Sequence, residues 1–92
     1  MIASFRHKGL KPLYEKGNAS KLQQQHVPKI RLILTRLDAA TSPNDLNVPG
    51  YGLHPLTGEL KGFWAIKVDK NYRITFRFDG VNVLEVDYLD YH

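Results

Sequence analysis

Two periods divide the chain. Up to about residue 40 the apolar positions recur every three or four residues, and from Phe63 onward they alternate. A switch from the helical period of 3.6 to the strand period of 2 predicts helices first and strands after. Leu10, Leu13 and Tyr14 fall at i, i+3 and i+4, so a short amphipathic helix is expected over residues 8–16. Gly17 stands where it should stop, because glycine alone enters the left-handed region at no steric cost. Pro12 is awkward inside that helix and implies a late start or a bend. A longer helix is expected over residues 21–40, with Val27, Ile30, Ile33, Leu34 and Leu37 as its apolar stripe. Lys29, Arg31, Arg36 and Asp38 would then face water. Ser20 is the candidate N-cap, and Pro28, which fits best in a first turn, allows a start as late as His26. Residues 2–5 suit a short edge strand.

Between the halves, residues 41–52 carry Ser42-Pro43-Asn44-Asp45 and Pro49-Gly50-Tyr51-Gly52, which are turn residues and read as a loop. Beyond it Trp64, Ile66 and Val68 alternate, then Tyr72, Ile74, Phe76 and Phe78, then Leu84, Val86 and Tyr88. Asp69-Lys70-Asn71 and Asp79-Gly80 link the runs, the second a strong hairpin signal. The expectation is an antiparallel meander whose even-numbered residues meet the helices. Its odd-numbered ones (Lys67, Arg73, Thr75, Arg77, Glu85, Asp87) line the other face. The fold class is therefore α+β: two N-terminal helices packed on one face of a twisted, mainly antiparallel sheet.

Ninety-two residues suffice for one domain, taken as 1–92, with a thin hydrophobic margin. With no cysteine, neither a disulfide nor a thiolate metal site reinforces it, and a reducing compartment fits. The N-terminus is basic but runs into no signal-peptide core, and no stretch nears the roughly 20 apolar residues of a membrane span, so a cytoplasmic protein without membrane association is expected. Thirteen basic against nine acidic residues give a net charge of +4 and a pI near 9.5. That balance suits a polyanionic partner, although solubility alone would account for it equally well.

Candidate chemistry is sparse. Histidines at 7, 26, 54 and 92 show no HxH or HxxxH spacing, and only Asp90 with His92 places an acid beside an imidazole, so no metal site and no cofactor is expected. There is no Gly-rich phosphate loop and no serine-triad signature. The last strand runs into Asp90-Tyr91-His92, an acid, a phenol and an imidazole. Alternation puts Asp90 and His92 on one side and Tyr91 on the other, unless twist or a bulge near Leu89 gathers them at the rim. His54 opens His54-Pro55-Leu56-Thr57-Gly58, a turn that would aim its ring in a defined direction. Arg73 has two readings: a cross-strand ion pair with Glu85 or Asp87, or a planar, always charged fork for a phosphate.

Several separated segments, in order, resemble one family. The opening residues 2–10, then His54-Pro55-Leu56-Thr57-Gly58, Gly62-Phe63-Trp64-Ala65-Ile66-Lys67-Val68, Asn71-Tyr72-Arg73-Ile74-Thr75-Phe76 and the ending Asp90-Tyr91-His92 are similar to HigB-type toxins of the RelE/ParE superfamily. The resemblance implies the toxin of a type II toxin–antitoxin pair: a RelE-like, ribosome-dependent endoribonuclease that cuts messenger RNA without metal. It implies a helix-turn-helix antitoxin of the HigA type as partner, with operator DNA reached only through the complex. Carried over by position, His54, Arg73, Asp90, Tyr91 and His92 would be catalytic and Asn71 would bind substrate. Relatives often hold a basic residue where this chain has Thr57, so Lys61, with Lys67, becomes the candidate for the remaining phosphate grip. A non-catalytic binding module of the same fold, or a ParE-like gyrase poison, would need no proton-transfer groups.

Overall fold

The sheet is a four-stranded antiparallel meander in the order β1-β2-β3-β4. In the computed structural model, which describes residues 1–91, it consists of β1 (His54–Pro55), β2 (Trp64–Lys67), β3 (Tyr72–Asp79) and β4 (Asn82–Asp90). Helices α1 (Leu10–Lys16) and α2 (Val27–Ala39) pack on one face. Every residue of the expected stripe on α2 is buried: Val27, Ile30, Ile33, Leu34 and Leu37 meet Ile66, Ile74, Phe76 and Val86 across the core. No helix among the described residues is long and apolar enough to cross a membrane.

Proline sets both helix starts. Pro12 lies in the first turn of α1, where its missing N–H has no partner to lose, and Gly17 at φ 69 closes the helix by returning its N–H to Leu13 O. Pro28 confines α2 in the same way. Its ring would clash with a helical carbonyl four residues back, so the chain before it forms a separate 3-10 turn, Gln24–His26, and α2 starts at Val27 rather than near residue 21. Ser20 is accordingly not the cap; the cap position is His26, whose side chain makes no capping hydrogen bond to the helix. Asp38 does not simply face water. It accepts Tyr14 Oη–H at 2.6 Å and the Ile2 N–H at 3.1 Å, and the first of these holds its carboxyl below the usual range.

Three departures from simple alternation matter for the site. The N-terminal segment runs parallel to β4 through isolated bridges, Ile2 with Val83 and Phe5 with Val86, rather than as a regular strand. A bulge interrupts it: two β4 residues, Glu85 and Val86, stand opposite Phe76, and Glu85 takes φ 55 with its N–H on Ser4 Oγ. The extra residue flips the parity of β4, so Val83 is buried where Leu84 was expected, and the bulge lies here rather than near Leu89. Finally, Thr75 on the outer face is buried. With Phe63 and Ala65 it forms a small second patch, and the Arg6 guanidinium sits over the Phe63 ring at 5.3 Å.

Candidate active site

The first part of the site is built by an edge strand that periodicity does not reveal. Residues 41–52 contain a 3-10 turn, Pro43–Leu46, anchored by buried Leu46, and Tyr51 buries its ring while Tyr51 O accepts Lys67 N–H at 2.7 Å. Gly50 and Gly52 turn the chain at positive φ, after which His54–Pro55 pairs with β2. Proline in a strand requires an edge, since it has no N–H to offer. His54 is exposed, and its Nδ1–H donates to Gly52 O at 2.9 Å. A carbonyl only accepts, so Nδ1 carries the proton and the neutral ring keeps its lone pair on Nε2, pointing away.

Register gathers the other groups. His54 aligns with Ala65, Thr75 and Asp87 across the sheet, and Lys67 aligns with Arg73 and Leu89. Residues directly opposite share a face, so His54, Lys67 and Arg73 occupy the outer face, away from the helices. Strand spacing and rise place the Cα atoms of His54 and Arg73 roughly 12 Å apart, close enough for a guanidinium and an imidazole to meet over one phosphodiester. Tyr91 continues the alternation beyond β4, its N–H on Asn71 O at 2.6 Å, and Arg73 lies over its ring at 5.6 Å.

Arg73 makes no ion pair with Glu85 or Asp87. Glu85, swung out by the bulge, pairs instead with Arg6 and Arg77, and Arg77 foremost keeps its carboxyl below the usual range. Arg73 Nη1 donates to two main-chain carbonyls, Asp69 O at 2.6 Å and Tyr72 O at 3.1 Å. Asp90 lies opposite Tyr72, on the helix-facing side of the same strand ends. Lys61 follows the 3-10 turn Gly58–Leu60, beyond the Trp64 end of β2, whereas Arg73 and Tyr91 mark the Lys67 end; the fold does not bring them together. His92 lies outside the described residues. No group of three His, Cys, Asp or Glu side chains stands together among the described residues.

Behind the site is a buried polar cluster not anticipated from the sequence. His26, 5 % exposed, bridges Asp69 Oδ2 through Nε2 at 2.7 Å and Tyr88 Oη through Nδ1 at 2.5 Å. The N–H groups of Tyr72 and Asn71, then His26, pull the Asp69 carboxyl down to about 2. An ionised Asp69 only accepts, so Nε2 carries a proton, while Nδ1 pairs with the Tyr88 hydroxyl. Burial, then neighbouring Tyr72, pushes the Tyr88 phenol up to about 12. The one available signal was the pair Tyr72 and Tyr88 at core positions, since a buried phenol needs a hydrogen-bond partner.

Residues 3–92 match the family described as the RelE-like toxin of type II toxin–antitoxin system HigB. The chain belongs to the HigB-like toxin family. Its members include relatives close in sequence: the Endoribonuclease HigB of Proteus vulgaris is 47 % identical over 92 residues, all of both chains. More distant solved structures share the fold of this HigB-like chain. YafQ from E. coli strain BL21(DE3) superposes with a TM-score of 0.66 at 16 % identity, covering 98 % of this chain and 91 % of its own. A chain of the YoeB-YefM complex from Staphylococcus aureus gives 0.64 at 16 % identity, covering 100 % and 95 %.

Proposed function

We propose that residues 1–92 form one toxin domain that cleaves messenger RNA on the ribosome and so stops translation. The endoribonuclease reading is supported by the full-length match to the Proteus vulgaris enzyme. Membership of a toxin–antitoxin family gives the chain an antitoxin as its partner; the helix-turn-helix HigA type, with operator DNA bound through it, completes the proposal.

The observation that carries the chemistry is the shared outer face of His54, Lys67 and Arg73, with Tyr91 against the guanidinium. RNA supplies its own nucleophile. A bond forms from the 2′-oxygen to phosphorus and the bond to the 5′-oxygen breaks, giving a 2′,3′-cyclic phosphate and a 5′-hydroxyl. His54, with Nε2 unprotonated, takes the 2′-hydroxyl proton; His92 gives one to the leaving oxygen, and Asp90 orients that imidazole. Arg73 holds the phosphorane charge, Tyr91 stacks on a base, Asn71 and Lys67 bind the strand beside them, and Lys61 grips it farther along, beyond the Trp64 end of β2.

His54→Gln and His92→Gln are expected each to reduce translation-dependent cleavage by about 10² or more, the usual contribution of a general acid or base. Cleavage at the full rate in both would refute the two imidazoles as the proton-transfer pair.

A further inference from the structure

Asp69 serves the site twice. Its carboxylate accepts the N–H groups of Asn71 and Tyr72, both at 2.8 Å, which fixes the start of β3. Its carbonyl accepts Arg73 Nη1 at 2.6 Å, which fixes the direction of the guanidinium. The carboxylate is tied down in turn by His26 Nε2–H at 2.7 Å. The imidazole is itself immobile: Tyr88 Oη engages its other nitrogen, and the Tyr72 ring lies 4.8 Å away, centroid to centroid.

We propose that His26 is a positioning residue for Arg73, acting through Asp69 from the helix side of the sheet. This rests on reading Arg73 as the phosphate clamp. Packing alone does not call for an imidazole here. His26 and Thr75 are the polar side chains buried among the described residues, and a buried polar ring is costly unless both nitrogens are paired. Both are, and one pairing is spent on a half-exposed turn carboxylate rather than on the core. Releasing that carboxylate loosens the Asp69 main chain that holds the guanidinium. A displacement of about 1 Å in a group stabilising a transition state is enough to cost about 10² in rate.

The test compares variants in translation-dependent cleavage under single-turnover conditions. Glutamine places a donor where Nε2 stood, so His26→Gln should keep most of the activity. His26→Leu removes that donor and should lower kcat about tenfold or more with KM unchanged, because the clamp acts in the transition state. His26→Leu also strands the Tyr88 hydroxyl in the core, so His26→Leu/Tyr88→Phe serves as the well-folded version: its Tm should recover while kcat stays low. In an Arg73→Ala background, His26→Leu should cost nothing further. Amide exchange at Asn71 and Tyr72 should accelerate in His26→Leu/Tyr88→Phe while that at Ile74 does not.

Wild-type kcat in His26→Leu/Tyr88→Phe, or losses that multiply with Arg73→Ala, would overturn the positioning role alone. Wild-type cleavage by Arg73→Ala itself would overturn the clamp and the positioning together, and unchanged exchange at Asn71 and Tyr72 would break the link at Asp69.

Discussion

Replacing Arg73 by alanine tests the centre of the proposed chemistry. A guanidinium carries five N–H donors. Nη1 spends its two on Asp69 O and Tyr72 O, which leaves Nε–H and the two of Nη2 for a substrate. A hydrogen bond to a charged partner is worth about 1.5–3 kcal/mol, and removing one donor from a developing oxyanion typically costs about 2.7–4 kcal/mol. We therefore expect kcat to fall about 10²-fold, with tenfold, or about 1.4 kcal/mol, as the floor. The fold loses much less. The Asp69 carbonyl contact is exposed and recovers water, and the Tyr72 carbonyl keeps the Val68 N–H at 2.9 Å, so stability should drop by no more than about 1–2 kcal/mol. Arg73→Lys keeps the charge without the planar fork and should fall between the two. The assay is single-turnover mRNA cleavage on programmed ribosomes, run well below the variant's Tm and normalised to folded protein. A lowered Tm with undiminished kcat would show that Arg73 only staples the β2–β3 turn, and would refute the clamp.

Stability should fall at both extremes of pH. The Asp69 carboxyl, depressed from 3.8 to about 2, contributes stability that is complete above about pH 4 and lost as pH falls toward 2. The Tyr88 phenol, raised from 10.0 to about 12, contributes below pH 10 and loses it as pH climbs toward 12. Scans of Tm against pH should show Asp69→Asn flattening the acid limb in part and Tyr88→Phe flattening the alkaline one. Phe76, fully buried opposite the bulge, should cost about 3–5 kcal/mol when cut to alanine, read as a lowered denaturant midpoint. Glu85→Val should lower Tm more than Glu85→Gly, because a β-branched residue tolerates φ 55 poorly; the reverse order would mean that the ion pairs outweigh the backbone.

How far the fold could be read from the sequence depended on the range of each signal. The α2 stripe emerged residue for residue because one helix face is a local pattern, and β3 emerged because seven alternating positions leave little choice of strand. The start of α2 fell well inside the apolar pattern, one residue past the latest position that Pro28 allowed, because the geometry of Pro28 outweighed a continuous apolar pattern. β1 escaped because two residues have no period. In β4 the alternation pointed to Leu84, yet an extra residue at the bulge turned Val83 inward instead. Nothing in residues 82–90 by themselves announces that bulge; it exists only relative to the partner strand.

The same dependence on register explains which parts of the site could be foreseen. Alternation alone placed Lys67 and Arg73 on one outer face, and they are direct neighbours there. The rival reading of Arg73, an ion pair with Glu85 or Asp87, failed for a reason the sequence does not contain. The bulge hands Glu85 to Arg6 and Arg77, and the register sets Asp87 opposite Thr75, two places from Arg73. With Glu85 committed elsewhere and Asp87 not paired with it, the guanidinium is held by main-chain carbonyls, which orient it without neutralising its charge. An arginine bound in that way remains a cation available to an anion, whereas one locked to a carboxylate would have to be desolvated and released before it could meet a phosphate. The bulge at Glu85 therefore contributes to the site although it touches none of the proposed reacting groups: it gives the Glu85 carboxylate to Arg6 and Arg77 rather than to the one arginine that the proposed cleavage requires.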